Sequence, residues 1–232
     1  MTESTPALLA DTIHRSYGRL EVLRGVTLSV HPGEFVGLVG NNGAGKTTLL
    51  KILAGQLAPG SGTVHVAGVD LSIDPRGARA RMGYVPEQPA LWEYLTAREF
   101  LSFVAEVRGA PDLGEALEVA DLGEDAERLI REYSQGMRRR TALAAALLGH
   151  PPVLLLDEAL NGLDPSSASR VREVLRTRCA AGAAVLLSTH ALETVERLAS
   201  RVVLLSGGRV AADVSVADLA PGAIERLLVP GA

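Results

Sequence analysis

The chain has 232 residues, and 47% of them are hydrophobic although only 3% are aromatic, so its core must be built mainly from Ala, Val, Leu and Ile. The formal net charge of −4 excludes a strongly basic chain of the kind that binds nucleic acid through its overall charge. The single cysteine, Cys179, excludes an intrachain disulfide and fits a reducing compartment.

Membrane-spanning and secretory segments are not predicted. No window approaches the roughly 18 uninterrupted apolar residues of a spanning helix. The N-terminal segment MTESTPALLADTIH lacks a basic region followed by an apolar one. We therefore expect a soluble, cytoplasmic chain that reaches a membrane only through a partner.

Strand and helix patterns alternate in the first part of the chain. A helix is predicted at GKTTLLKILAG, which Gly55 can close, and strands are predicted at EVLRGVTLSV, GEFVGLVG and GTVHVAG. From Thr96 to about Gly149 the pattern is almost entirely helical. Thr96 and Glu99 have the spacing of a capping box at the start of that helical segment.

Two short apolar runs in the last part of the chain, VLLLDE and AAVLLSTH, predict buried strands on either side of the helix PSSASRVREVLRTRCAAG. RVVLLSGGRVAAD predicts a final hairpin around its two adjacent glycines. Strands that alternate with helices form mainly parallel sheets, and such sheets bind ligands outside the carboxyl ends of their strands. We therefore expect the chemistry at the polar residues 157–158 and 188–190, which end the two runs.

The segment from Gly40 to Thr47 fits the phosphate-loop pattern G-x-x-x-x-G-K-[ST] and lies between a predicted strand and a predicted helix. Glycines leave room for successive backbone N–H groups to surround phosphate oxygens, and the helix N-terminus adds its positive end. Lys46 would reach the β- and γ-phosphates, and the Thr47 hydroxyl would hold Mg²⁺. The alternative is a glycine-rich turn that binds nothing. The predicted nucleotide-binding residues of this loop are Asn41, Asn42, Gly43, Ala44, Gly45, Lys46, Thr47 and Thr48.

The acidic pair that ends VLLLDE suits hydrolysis of a phosphate ester. Asp157, at the end of a buried strand, can hold Mg²⁺ through its water shell. Glu158 can orient or deprotonate an attacking water. Alone, such a pair is weak evidence, since acids at strand ends often cap helices; together with the upstream phosphate loop it predicts a catalytic site.

EYSQGMRRRTALAAALLGHPPVLLLDEALNGLDP, with LLSTH after it, resembles the nucleotide-binding subunit of ATP-binding cassette (ABC) transporters. The resemblance extends from SYGRLEVLRGVTLSV to RVVLLSGGRV. It implies an α/β fold: a P-loop NTPase core with a mainly parallel sheet, an N-terminal antiparallel β portion and an inserted α-helical lobe. We expect a single domain over residues 1–232, with the core at 1–89 and 150–232 and the lobe at about 90–149.

The resemblance also implies roles for residues outside the phosphate loop. Tyr17 is expected to stack on adenine. Ser134 and Gly136, in YSQGM at the position of the family signature, are expected to contact the γ-phosphate held by a second copy of the chain. His190 is expected to contact the γ-phosphate and help to position the catalytic water. Asp164, in NGLDP, is expected to cross the interface between the copies.

Three of these residues have simpler alternatives. Tyr17 by itself fits a surface aromatic, and His190 fits a hydrogen-bonded residue at a strand end. Ser134 fits an N-cap for the helix that follows, and it is expected to serve both as a cap and as a phosphate ligand.

The sequence departs from the family pattern at two places. Gln135 and Met137 stand where the signature has a glycine and a glutamine. Such variants occur in the family branch that pairs with ABC-2-type membrane subunits, so the resemblance implies that branch. In MGYVPEQPALWEYLT, the position of the family's loop glutamine holds Glu87, and Gln88 comes one residue later. Either a carboxylate replaces the amide near Mg²⁺, or the loop is shifted by one residue.

Two other features have more than one interpretation. The basic run Arg138, Arg139 and Arg140 is interpreted as a solvated helix face rather than as a nucleic-acid site. Leu91 and Trp92 either form a docking site for a cytoplasmic helix of a membrane subunit or pack inside the helical lobe.

The predicted function is ATP hydrolysis, with Mg²⁺, coupled to transport through separate transmembrane subunits. Export through an ABC-2-type partner is the favoured direction. We expect a head-to-tail homodimer with ATP at its interface, attached to the inner face of the cell membrane, and no nucleic-acid partner. The alternative is a soluble ATPase of the same superfamily that acts in translation, DNA repair or regulation.

Overall fold

The computed structural model describes residues 5–219 together with 222 and 225. Residues 1–4, where the segment searched for a secretory signal begins, lie outside this description. The strands are β1 (Leu8–Tyr17), β2 (Leu20–Val30), β3 (Phe35–Val39), β4 (Ser61–Val66), β5 (Val69–Asp70), β6 (Met82–Val85), β7 (Val153–Asp157), β8 (Ala184–Ser188), β9 (Arg201–Ser206) and β10 (Arg209–Ser215). The helices are α1 (Lys46–Leu53), α2 (Pro75–Ala80), α3 (Ala97–Val107), α4 (Gly114–Ala120), α5 (Gln135–Leu147), α6 (Pro165–Ala180) and α7 (Leu192–Leu198), with short 3-10 helices at Gly123–Glu127, Ile130–Glu132 and Val216–Asp218.

The strands form two sheets. An antiparallel sheet has the order β2-β1-β4-β5, and a six-stranded sheet has the order β10-β9-β3-β8-β7-β6. In the larger sheet β9, β3, β8, β7 and β6 are parallel, and β10 pairs antiparallel with β9. Because β8 lies between β3 and β7, the residues that follow these three strands meet at one edge of the sheet. Every residue of β3, β7 and β8 is buried, as expected for parallel strands that are covered on both faces.

Each face of the larger sheet has its own core, because successive side chains of a strand point to opposite faces. Leu154 and Leu156 of β7 pack in the core that contains α3, α4, α5 and α6. Val153 and Leu155 pack in the core that contains α1 and the antiparallel sheet. The predicted fold class is therefore confirmed: a mainly parallel sheet, an antiparallel portion and a helical insertion. The expected limits of the single domain stay a prediction.

The helical segment begins as predicted. Thr96 is the N-cap of α3: its hydroxyl accepts the Glu99 N–H at 3.1 Å, and the Glu99 carboxylate accepts the Thr96 N–H at 2.9 Å. Among the residues that the structure describes, no helix is long and apolar enough to cross a membrane.

Five of these strands and helices were not predicted from the sequence: β1, β5, α2, β6 and α7. In β1 the pairing shifts register between Ala10 and Ile13, where Thr12 has φ +51°. This irregularity interrupts the alternation of buried and exposed residues by which a strand is recognised in a sequence. The edge strand β6 is only four residues long.

Candidate active site

A cleft of about 730 Å³ opens at the edge of the sheet where β3, β7 and β8 end. It is bounded by β2, by the phosphate loop and by the segments that follow β6, β7 and β8. The residues that line it are Leu20, Val22, Asn42, Gly43, Ala44, Gly45, Lys46, Thr47, Thr48, Glu87, Glu158, Asn161 and His190. Parallel strand order therefore brings together side chains that are far apart in the chain.

The phosphate loop wraps around the ammonium group of Lys46. The Lys46 side chain donates from Nζ to the Gly40 carbonyl at 2.7 Å and to the Asn41 carbonyl at 3.4 Å, and the residue is 8% exposed. Gly45 has φ +106°, which favours glycine, and a Cβ on it would lie 2.8 Å from Leu23 Cδ2. Helix α1 starts at Lys46 without a side-chain cap from any described residue. Its first N–H groups are thus left for an anion.

Asp157 is fully buried at the end of β7. The Ser188 hydroxyl donates to its Oδ1 at 2.5 Å, whereas its Oδ2 has no hydrogen-bond partner among the described residues. Burying an unpaired carboxylate oxygen is costly, so this oxygen suits a cation or its water shell. On the neighbouring strand, burial and then the charge of Asp157 raise the pKa of Tyr84 to about 12, so this phenol stays neutral at physiological pH.

Within residues 5–219, 222 and 225, no group of three or more His, Cys, Asp or Glu side chains that could hold a metal ion occurs. The residues at the cleft still fit Mg²⁺, which proteins usually hold through one or two carboxylates together with phosphate oxygens and water. Thr47 and Glu87 line the cleft, whereas Asp157 is buried directly before Glu158 and is not among the described residues that line it. These three side chains are the ones available for that purpose.

The carboxylate of Glu158 is held in place from two sides. The Asn161 amide donates to its Oε2 at 2.6 Å, and His190 Nδ1 lies 3.2 Å from both carboxylate oxygens. The Glu158 backbone has φ +50° and donates its N–H to the Ser188 carbonyl at 3.1 Å. Such a conformation costs a non-glycine residue about 1–3 kcal/mol and is typical of functional sites. The side chain is 12% exposed, so water in the cleft can reach it.

The segment after β6 contains Glu87 and Gln88, the two alternatives for the position of the family's loop glutamine. Glu87 lines the cleft with Lys46 and Glu158. Gln88 does not line this cleft in the described part of the chain; it lines a neighbouring recess of about 360 Å³, together with Glu87, Gln135 and Arg138. The geometry therefore favours Glu87 as the residue that faces the phosphate loop.

Ser134 and Gly136 lie apart from the cleft. Neither is among the described residues that line it. Ser134 is the N-cap of α5, as predicted, and its hydroxyl accepts the Met137 N–H at 3.2 Å. A Cβ placed on Gly136 would be 3.8 Å from the Gly162 carbonyl, so the start of α5 lies beside the segment that follows Glu158.

Tyr17 and Asn41 take peripheral positions. Tyr17 is 48% exposed, pairs in register with Leu20, and has the Arg15 guanidinium 5.1 Å from its ring centroid. Tyr17 is not one of the described residues lining the cleft, but its partner Leu20 is. Asn41 contributes its backbone, because its carbonyl accepts the Ala44 N–H at 3.1 Å and supports the turn of the phosphate loop.

Asp164 is the N-cap of α6. Its carboxylate accepts the Ser167 N–H at 3.0 Å, the Ser166 N–H at 3.1 Å and the Ser166 hydroxyl at 2.7 Å. Hydrogen bonds from Ser167, and then from Ser166, hold the pKa of Asp164 well below its usual range. Asp164 is therefore ionised at any physiological pH. Its expected place at an interface between two copies stays a prediction.

The interpretation of Arg138, Arg139 and Arg140 as a solvated face is wrong. All three side chains are only partly exposed and are hydrogen bonded to other segments. The sequence interpretation failed because an arginine run on a helix looks the same whether its partners are water molecules or carbonyl groups of distant loops.

Three described residues that line the cleft were not identified from the sequence as site residues: Leu20, Val22 and Asn161. Of these, the residue that hydrogen-bonds to Glu158 is Asn161. Asn161 lies three residues after Glu158, and its backbone N–H donates to the Glu158 carbonyl at 3.1 Å. This turn places the side-chain amide of Asn161 within hydrogen-bond distance of the Glu158 carboxylate. The dipeptide Asn-Gly is typical of a turn, but it does not indicate the direction of the amide.

A phosphate loop between a buried strand and a helix, a buried Asp at the end of a parallel strand, and a restrained Glu beside it define a P-loop ATPase. The family model for ABC transporters matches residues 23–161. The chain therefore belongs to the ABC transporter family, and it is an ATP-binding, ATP-hydrolysing subunit that uses ATP and Mg²⁺.

Named relatives support the same assignment. The chain is 39% identical to the Nod factor export ATP-binding protein I of Paraburkholderia xenovorans (strain LB400), over 94% of this chain and 72% of the relative. It is 40% identical to the daunorubicin resistance ATP-binding protein DrrA2 of Streptomyces coeruleorubidus, over 89% of this chain and 66% of the relative. These relatives do not support the alternative of an ATPase that acts in translation or DNA repair.

Two solved structures share the fold. One, the ATP-binding subunit of an ABC transporter, has 33% identity and a TM-score of 0.86, and the match covers 96% of this chain and 93% of that one. The other is the dimeric structure of a bacterial ABC transporter cassette, with 25% identity, a TM-score of 0.82, and coverage of 90% and 98%.

Proposed function

We propose that this chain hydrolyses ATP in the cleft beside β3, β7 and β8, and that it thereby powers export through separate membrane subunits. The observation that carries the site assignment is the restrained carboxylate of Glu158 in the same cleft as Lys46 and the phosphate loop. The direction of transport rests on the names of the relatives, which describe export and drug resistance.

The residues have the following roles in the proposed reaction. The loop N–H groups and Lys46 bind the β- and γ-phosphates, and Glu158 accepts the proton of the water that attacks the γ-phosphorus. His190, 3.2 Å from that carboxylate, orients it and contacts the γ-phosphate. Asp157 and Thr47 would hold Mg²⁺, which would neutralise part of the charge on the phosphate oxygens. ADP and phosphate are the products.

Tyr17 is proposed as the platform for adenine. It is half exposed, and it lies directly across the strand pair from Leu20, which lines the cleft. An adenine that leaves the cleft past Leu20 would therefore meet the ring of Tyr17.

Ser134 and Gly136 are proposed to complete the site of a second copy of the chain. Their location at the start of α5, outside the cleft of their own chain, supports this assignment. A helix N-terminus favours an anion, and the γ-phosphate bound to the other copy is the expected one.

The metal-side role of Glu87 leads to a testable prediction. We expect Glu87→Ala to raise the Mg²⁺ concentration needed for half-maximal hydrolysis by about tenfold, because a carboxylate near the ion's water shell is lost. Gln88→Ala, which changes a side chain outside the cleft, is the matched control and is expected to behave like the parent. Magnesium titrations of ATPase activity measure both. The reverse ranking would assign the role to Gln88.

An exposed apolar patch, formed by Trp92, Phe103 and, one helical turn after Phe103, Val107, marks the proposed docking site for a cytoplasmic helix of the membrane subunit. Trp92 is 53% exposed, and the centroid of its ring lies 4.7 Å from that of the Phe103 ring. Leu91, by contrast, packs against the core, which favours the second of its two interpretations. Docking at this patch would keep the chain on the inner, cytoplasmic face of the membrane.

The docking proposal is tested by Trp92→Glu, with Ile73→Glu as control because Ile73 is also an exposed apolar residue, at 82%, outside the patch. We expect Trp92→Glu to lower the membrane-bound fraction of the chain in its native cells about tenfold, whereas ATPase activity of the purified protein stays at the parental level. Cell fractionation and phosphate release measure the two quantities. Equal membrane binding by both variants and the parent would refute this docking site.

A further inference from the structure

The three adjacent arginines near the start of α5 contact three different parts of the molecule. Arg138 donates to the Glu93 carboxylate at 2.6 Å. Arg140 donates to the Ala120 carbonyl at 2.9 Å and to the Ser167 hydroxyl at 3.1 Å. Arg139, between them, reaches the two loops that border the cleft.

The guanidinium group of Arg139 donates one hydrogen bond to each of these loops. Its Nη2 donates to the Glu87 carbonyl at 2.9 Å, and its Nη1 donates to the Asn161 carbonyl. Both acceptors belong to residues whose side chains line the cleft. A planar guanidinium can hold two acceptors in a fixed relation, which a lysine ammonium on a flexible stem does much less well.

The contact with Asn161 continues to the catalytic carboxylate. The carbonyl of Asn161 accepts from Arg139, and its side-chain amide donates to Glu158 Oε2 at 2.6 Å. The next residue, Gly162, has φ +69°, and a Cβ on it would lie 3.4 Å from Arg139 Nη1. The turn is therefore shaped so that the guanidinium comes close to the backbone.

We propose that Arg139 is a positioning residue, which fixes the Asn161 turn and thereby the Glu158 carboxylate, and at the same time fixes the loop that carries Glu87. Because Arg139 lies in the second turn of the helix that begins after Ser134, a shift of α5 is passed to both loops through one side chain. The inference rests on the proposed role of Glu158 as the proton acceptor.

The first test compares Arg139→Gln with Arg138→Gln, the same substitution at the neighbouring position. We expect Arg139→Gln to lower kcat about 10- to 100-fold, because a misplaced catalytic group loses rate steeply. The KM for ATP is expected to stay within about twofold of the parent, since the phosphate loop is untouched. Arg138→Gln is expected to keep the parental kcat, because its partner Glu93 lies outside the cleft in the described structure. A kcat of Arg139→Gln within about twofold of the parent would overturn the proposal.

The second test separates positioning from a purely structural role. Arg139→Lys keeps the charge and the aliphatic stem but cannot hold both carbonyls, so we expect a smaller loss of kcat than in Arg139→Gln, with an unchanged thermal unfolding midpoint. A lysine variant that loses stability and ATP affinity in parallel with kcat would show that Arg139 only supports the fold.

A double-mutant cycle decides whether Arg139 acts through Asn161. If it does, Arg139→Gln combined with Asn161→Ala has the same kcat as Asn161→Ala alone, and fully additive losses would overturn the coupling. The role of Glu158 is tested separately by Glu158→Gln. Normal turnover of Glu158→Gln would remove the proposed base, whereas slow turnover of Glu158→Gln with additive losses in the cycle would refute only the inference about Arg139.

Discussion

Glu158→Gln is expected to bind ATP with parental affinity and to hydrolyse it at least about 10²- to 10⁴-fold more slowly, the range by which a general base contributes. The physical reason is that glutamine has nearly the shape of glutamate and can still accept the hydrogen bond of Asn161, but it cannot take a proton from water. Phosphate release under saturating MgATP measures the rate, and equilibrium binding of ATP measures the affinity.

The matched control is Glu173→Gln, the same chemical change at an exposed position on α6, where the side chain is 72% exposed. We expect this control to hydrolyse ATP at the parental rate. If purified Glu158→Gln turned over normally, Glu158 would not be the base.

Mixing two inactive variants is expected to restore hydrolysis. Lys46→Ala should abolish ATP binding, because it removes the positive charge that binds the β- and γ-phosphates. In the structure this ammonium group donates to the Gly40 and Asn41 carbonyls of the phosphate loop. Ser134→Arg should leave ATP binding to the single chain nearly intact, because Ser134 is outside the described lining of that chain's cleft. It should, however, weaken the dimerisation of Ser134→Arg chains, since it puts a bulky charge at the start of α5.

A mixed dimer of these variants contains one pairing of an intact phosphate loop with an intact YSQGM segment, so hydrolysis is expected to recover to at most about half of the parental rate if one site suffices. Ser102→Arg, an exposed position on α3, is the control for added charge and is expected to stay active. Sedimentation in the Glu158→Gln background measures ATP-dependent dimerisation. Full ATPase activity from a chain that stays monomeric at every concentration would contradict the shared site.

Features that depend on a few neighbouring residues followed from the sequence alone. The phosphate loop, the capping box at Thr96, the N-cap Ser134 and the final hairpin were predicted from local patterns, and the structure contains each of them. Backbone conformation and hydrogen bonding over a single turn determine such features, so no distant contact is needed to identify them. The family resemblance added the fold class, because its motifs occur in a fixed order along the chain.

Other features required the tertiary structure, because they depend on segments that are far apart in the chain. Strand β8 lies between β3 and β7, and this order places His190 3.2 Å from the Glu158 carboxylate. Glu87 lines the cleft and Gln88 does not in the described part of the chain, which the sequence alone did not determine; the metal-side role of Glu87 stays a prediction. The contacts of Arg139 join residues 22 and 52 positions away in the sequence. The sequence shows which hydrogen bonds each side chain can form. The packing of the two cores on the sheet determines which of the possible partners lies close enough to form them.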